Sequence, residues 1–476
     1  MRSADRPARA AAVLAVALVV TAGTAVPALA SGGGAGPRLD GVWRMDGYGT
    51  LLTVSGTRLT SYDVTRNSCT PGVTSADRFG APLPGGAVRY GTPGSPFGQL
   101  TITPHGRHRA VYTRDGATGT RALERLPDGL PAQCTRPVSD DPLAVFDRFW
   151  DGFEENYPFF AAKGVDWHAA RATYRPTVTA ENLVDTIITM VAPLQDSHVA
   201  LLRASPDGGY TTFFRAMRDG TVAPTPELLG TVLPPIGAQL AAPEQPFGGG
   251  ILGVGELPDG IGYLRVSAFG DYVDQGGQRE QEAELDRAVD ALLDRPRARP
   301  LRGVVIDVRV NGGGSDALAV RLASRFTDRP YQAYRKVARN DPADPTAFTR
   351  PQPVTVRPAA GASRFTGPVA LLTSGSTVSA GETFTQAMMG RSPHVTRIGE
   401  NTQGVFSDQL PRRLSSDLLL LLPNEEFLTP AGTTFDGPGI PPDVRTPVFT
   451  PAELAGLKDS ALTEARRLLT AGSGPG

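Results

Sequence analysis

The sequence predicts an α/β protein with a helical segment ahead of its core and a separate small all-β domain near its N-terminal end. Three observations carry this. Residues 38–135 alternate short β-like runs with turn residues, as in "GTLLTVSGTRLTSYDV", "GQLTITP", "RAVYTR" and "RALERL". Residues 141–205 change texture, with Leu143, Phe146, Phe149, Phe153 and Tyr157 at helical spacing. From 255 to 450 apolar strand-like runs alternate with helices, as in a sheet covered on both faces.

A chain of 476 residues is long for one core and predicts two or three domains. Its 55 Gly and 43 Pro imply many turns and long irregular connections. A net charge of −1 gives no basic face for nucleic acid or an anionic membrane, so neither is expected as a partner. The first residues carry Arg2, Arg6 and Arg9, then "AAAVLAVALVV", then "ALA" at Ala28–Ala30. They read as a signal peptide over 1–30 and predict a secreted protein, touching a membrane only if that leader is retained. Cys69 and Cys134, the two cysteines, are expected to form one disulfide in an exported chain.

Pro142 suits the first turn of a helix, and a second helix is predicted from Ala180 to Val191, stopped by Pro193. Residues 221–250, rich in Pro and Gly, read as a connection. In the core, "GIGYLRVSAF", "GVVIDVRV", "GPVALLTS" and "DLLLLL" are predicted strands. Glu280–Leu293 is a predicted helix, another follows Ser379, and Ala452–Leu469 supplies a terminal helix within the 451–476 tail.

Ser379 lies in "LLTSGSTVSAGETF", between a strand and a helix. Ser379-Ala380-Gly381-Glu382 fits a capping box, in which Ser379 only caps the helix. The same place at a sheet edge, beside free backbone N–H groups, also suits a nucleophile, which needs a base. His105 and His108 sit in the β region, His168 in the helical one, and His394 follows the serine's helix. His198 occupies a loop entering a strand, in "LQDSHVAL". In "VVIDVRVNGGGSD" a buried strand turns at three glycines, which permit φ > 0 and close backbone approach. No phosphate-loop pattern is present.

Together these segments resemble the S41 serine peptidases, the family of C-terminal processing peptidases and tricorn core proteases. "DVRVNGGG", "STVSAGE", "DSHVAL" and "FDGPGIPPDV" are similar to four family motifs in the family's order, over residues 141–450. The resemblance implies a ClpP/crotonase-like β-α core and makes Ser379 the nucleophile. One branch activates its serine with a lysine in a Thr-x-Gly-Lys-Gly segment. Here "NTQGVFSD" has Val405 at that place, and no lysine lies between Lys336 and Lys458. The other branch uses a His preceded by Ser, matched by Ser197-His198, oriented by a Glu whose place is taken by Asp436. Glu425 and Glu426 are fallback candidates. The resemblance further implies an oxyanion hole of backbone N–H groups from Gly313 or Gly314 and from Ala380, with Asp307 and Arg309 bracing the glycine turn.

The expected function is a secreted serine-type peptidase acting on peptides or unfolded proteins through an acyl-enzyme, without metal or cofactor. The alternative is a non-enzymatic carrier of hydrophobic ligands on the same core, since retinoid-binding proteins of the retina share it. Oligomeric state is open at this level.

Overall fold

The computed structural model describes residues 39–92, 99–206, 209–294 and 299–471. The leader expected over 1–30 lies outside the described residues.

Eight antiparallel strands, from Gly41–Met45 to Arg121–Leu126, form a closed barrel in which each strand pairs with the next and the last with the first. Period-two alternation becomes inside and outside. Arg58–Val64 alternates strictly between half-buried and buried residues, and Trp43, Leu59 and Ile102 fill the interior. Three barrel strands, Gly41–Met45, Cys69–Phe79 and Val88–Tyr90, are absent from the runs predicted above. The second carries Pro71 and Gly72 near its start and does not alternate. The Cys69–Cys134 disulfide closes a loop of sequence separation 65 and ties this strand to the turn after the last one.

The barrel is not detached. Its Trp43 and Tyr48 share one apolar cluster with Phe146, Phe149, Phe153 and Trp167 of the helical segment and with Leu420. The Pro142–Asn156 helix starts as predicted, with Asp141 accepting from the N–H groups of Leu143 at 3.0 Å and Ala144 at 3.1 Å. The next major helix, Leu183–Val191, begins later than Ala180 because Thr179 N donates to Asn182 Oδ1 at 2.8 Å and forms a capping turn there.

The stretch 221–250 is not merely a connection. It contains the Pro226–Gly237 helix, which tolerates Pro234 and Pro235 near its end because Val232 and Ile236 are buried against the core. The terminal helix is likewise two, Pro451–Ala455 and Ser460–Ala471, with Asp459 capping the second through Leu462 N at 2.9 Å.

The central sheet has seven strands in the order Gln245–Phe247, Leu252–Leu257, Ile261–Val266, Gly303–Asp307, Val369–Thr373, Val395–Gly399 and Val444–Arg445. From Ile261–Val266 onward the pairs are parallel. Gly303–Asp307 and Val369–Thr373 are buried at every residue, since helices cover both faces. The "DLLLLL" strand, Leu418–Pro423, leaves this sheet and pairs with Ala200–Ala204 and Gln409–Arg413. Among the described residues no helix is long and apolar enough to cross a membrane.

The register positions the site. Asp307 lies opposite Leu372, so the turns leaving these two parallel strands run side by side. Asn311 and Thr377 form a bridge between them. Asn311 N donates to Ser376 O at 3.1 Å, and Val378 N to Asn311 O at 2.9 Å. Gly313 therefore meets Ser379.

Candidate active site

Ser379 begins the Ala380–Met389 helix with φ 56 and ψ −118, a strained conformation for a residue with a side chain. It is partly exposed, and Oγ makes no cap hydrogen bond. Half of the predicted capping box forms. Glu382 reaches back to Ser379 N–H at 3.3 Å, and Glu382 N also donates to the Ser379 carbonyl at 2.7 Å. A Cβ on Gly313 would lie 2.6 Å from Ser379 Cβ and 3.2 Å from its Oγ, so only glycine fits there. A Cβ on Gly381 would meet Asn311 Oδ1 at 2.7 Å, which gives the glycine of "SAGE" its reason.

The expected oxyanion donors separate. Gly313 N–H is already bound to Asn311 Oδ1 at 2.9 Å, and Gly312 N–H to Ser267 O at 3.0 Å. Among the described residues, Gly314 and Ala380 N–H have no acceptor. Of the two glycines named from the resemblance, Gly314 is the one whose N–H is unbonded, as is that of Ala380.

Residues 404–408 join the remaining parts. Val405 O accepts Ser379 N–H at 3.1 Å. Glu382 Oε1 accepts from Gly404 N at 2.6 Å, and its Oε2 from Val405 N at 2.8 Å. Burial pushes the Glu382 carboxyl up to about 7, against the pull of Thr402 and these N–H donors. Phe406 N donates to Asp436 Oδ1 at 3.1 Å, and the Ser407 backbone favours the charged form of the nearby His198 ring.

His198 is buried, and its Nδ1 has no partner. Burial, then Arg215, pushes its imidazole down to about 4, with Asp408 and the Ser407 backbone pulling the other way. It is thus neutral at physiological pH. Its backbone is locked by an Asx turn, in which Asp196 Oδ1 accepts His198 N–H at 3.0 Å while Tyr157 OH donates to Asp196 Oδ2 at 3.1 Å. Ser197 contributes its carbonyl, which accepts from Arg215 at 2.9 Å. No hydrogen bond joins His198 to Ser379 in this state.

Asp436 does not bond His198. Its second oxygen accepts from Thr434 Oγ1 at 2.7 Å. Burial raises its carboxyl well above the ordinary range, and Asp196 and Glu382 add to this. Asp408 is the acid whose charge His198 feels. Burial would raise Asp408, but Lys336 and Arg121 hold it below the usual carboxylate range. Glu425 turns instead to Lys336 Nζ at 3.0 Å and to Tyr48 OH.

Asp307 and Arg309 brace something other than the glycine turn. Arg309 bonds both Asp307, at 2.6 Å, and Asp459, at 2.7 Å, so the pair fastens the central strand to the final helix. His168 and His394 are exposed and paired with Glu154 and Asp443, outside the site. Among the described residues, no group of three or more His, Cys, Asp or Glu side chains is placed to hold a metal.

Asn311, Glu382, Asp196 and Asp408 were not named above as site residues. The Asn-Gly and Asp-x-His patterns signal the first and third. The role of Glu382 was concealed by its fit to a helix cap, and nothing local marks Asp408.

Residues 260–446 match the model of peptidase family S41, and 140–183 match that of the tricorn protease C1 domain. Its core, over residues 260–446, is that of an S41 peptidase. This S41 protein is a serine-type peptidase, a hydrolase. A protein from Parabacteroides merdae ATCC 43184, provisionally described as a peptidase, shares 24% identity over 71% of this chain and 100% of its own, with a TM-score of 0.58. Mature CPAF complexed with lactacystin shares 12% identity over 69% of this chain and 97% of its own, with a TM-score of 0.50. These two likenesses bear on the fold. No curated protein matches the chain.

Proposed function

We propose that this S41 peptidase cuts peptides or unfolded proteins through an acyl-enzyme on Ser379, in a ClpP/crotonase-like core. The carrying observation is the contact of Gly313 with a strained, partly exposed Ser379 flanked by the unbonded N–H groups of Gly314 and Ala380. A peptide carbonyl over Ser379 Oγ would direct its developing negative charge to those two donors.

His198 takes the Ser379 proton as Oγ attacks, then returns it to the leaving amine. The imidazole is neutral and has a nitrogen to receive the proton. Its hydrogen bond to Ser379 forms in the substrate complex, as catalytic bonds that are loose in the free enzyme commonly do. Asp436 acts through Phe406 N–H, holding the segment that contacts both Ser379 and His198. Ser197 carries His198 in the same turn, and Asp408 stabilises the imidazolium. The N-terminal leader supports secretion, and the N-terminal residue of the exported protein tests it.

The test of function is hydrolysis of a peptide library. Wild type is expected to cut, and Ser379→Ala and His198→Ala are expected to lose roughly 10⁴-fold or more in kcat while keeping their fold. Equal cutting by both variants would refute the assignment.

A further inference from the structure

The turn Asp115–Thr120 joins the last two barrel strands, Arg109–Arg114 and Arg121–Leu126, and it docks beside the glycine turn. Gly116 O accepts from Ser315 Oγ at 2.9 Å and from Ala317 N at 3.1 Å. Thr118 O accepts from Lys336 Nζ at 3.3 Å, and Thr118 Oγ1 pairs with Tyr334 OH at 3.3 Å. Thr120 N donates to Gln352 Oε1 at 2.7 Å, while Gln352 Nε2 donates to Thr120 O at 2.6 Å. Three successive parts of one barrel turn are thus bonded to the core.

The glycine turn needs such support. Gly313 and Gly314, with φ of 91 and 124, have no side chains to limit their motion. Upstream, the core grips Gly312 and Gly313 through Ser267 O and Asn311 Oδ1. The Gly314 N–H makes no such bond, and must not if it is to serve the oxyanion. Its peptide plane is held on one side through Gly313 O, which accepts from Phe269 N at 2.7 Å, and on the other through its downstream neighbour. Ser315, 1% exposed, is held by Phe269 O through its N–H and by the barrel through its hydroxyl. The same hydroxyl accepts Leu318 N at 3.1 Å and caps the Asp316–Ser324 helix.

We infer that the Asp115–Thr120 turn of the barrel is a positioning element of the active site, fixing the Gly314 oxyanion donor through Ser315. The inference rests on the reading of Gly314 as that donor. It gives the barrel a catalytic role without contact to substrate. Oxyanion donors act by fixed placement, and removing one costs about 10²–10³ in kcat. Loosening one is expected to cost about tenfold, in kcat and not in KM, because the donor bonds the transition state.

Two variants test this with the full chain. Ser315→Ala removes the hydroxyl that reaches Gly116. Gln352→Ala releases the far side of the barrel turn and touches neither the glycine turn nor the helix cap. Both are expected to lower kcat about tenfold, leave KM within about twofold, and speed amide hydrogen exchange across 312–317. Wild-type kcat and exchange in Gln352→Ala would overturn the inference, since any Ser315→Ala defect would then belong to the helix cap. Wild type cutting no better than Ser379→Ala would defeat the peptidase reading instead. The exchange data would still judge the tether, and unchanged exchange would reject it.

Discussion

The Ser379 amide donates to the Val405 carbonyl at 3.1 Å. By the sequence resemblance Val405 takes the place of the base lysine of the lysine-dependent S41 peptidases, and here it contributes backbone rather than a side chain. Its own N–H is held by Glu382 at 2.8 Å, and Glu382 returns to the Ser379 amide. This small ring clamps the backbone of the proposed nucleophile in its positive-φ conformation.

The clamp stores strain. A side-chain-bearing residue in such a region costs on the order of 1–3 kcal/mol. Glycine relieves it, at an entropic cost of roughly 0.5–1 kcal/mol. Ser379→Gly is therefore expected to be about 1 kcal/mol more stable than Ser379→Ala, both being inactive. Urea unfolding midpoints check this, and an equal or lower midpoint for the glycine variant would remove the argument from strain.

The pH profile follows from His198. As the proposed base it works unprotonated, and its imidazole is pushed down to about 4. The acid limb of kcat/KM is expected near that value and not near the ordinary histidine value of about 6.5. A limb centred at the ordinary value would mean that His198 is hydrated in the working enzyme.

Asp436 is expected to tolerate amidation. Asp436→Asn keeps an acceptor for Phe406 N–H and removes a charge that burial already disfavours. Its kcat should fall less than about tenfold, whereas Asp436→Ala, which strands that N–H, should lose about 100-fold or more. Equal collapse of both variants, near the roughly 10⁴-fold of a triad aspartate changed to Asn, would assign Asp436 a charged role on His198.

Asp316 governs part of the pH dependence of stability. Burial, reinforced by Asp408 and opposed by Lys336, pushes its carboxyl up to about 7, against about 3.9 unfolded. A raised carboxyl contributes stability below its unfolded pKa and loses it as pH rises through the folded one. Relative to Asp316→Asn, wild type should lose about 1.4 kcal/mol per pH unit between roughly pH 4 and 7. Parallel stability curves would contradict this.

Much of this was legible because it is local. Five of the eight barrel strands announced themselves by alternation, the Pro142–Asn156 helix by Pro142 and its aromatic spacing, and the glycine turn by "NGGG". The Pro226–Gly237 helix was hidden because its prolines read as breakers, while the burial of Val232 and Ile236 that offsets them is tertiary. The same holds in the site. Gly313 and Gly314 look alike in sequence, and only the Asn311 bond tells which N–H is taken. Asp436 matched a motif position, yet its partner was decided by where Phe406 lies. Asp408 gains its place from Lys336 and Arg121, distant in the chain.

The most direct measurement is covalent labelling with a serine-directed organophosphonate, read by peptide mass spectrometry. One adduct per chain is expected, on Ser379, absent in Ser379→Ala and formed at least about 100-fold more slowly in His198→Ala. A wild-type chain left unlabelled, or labelled at another residue with no dependence on His198, would contradict the account.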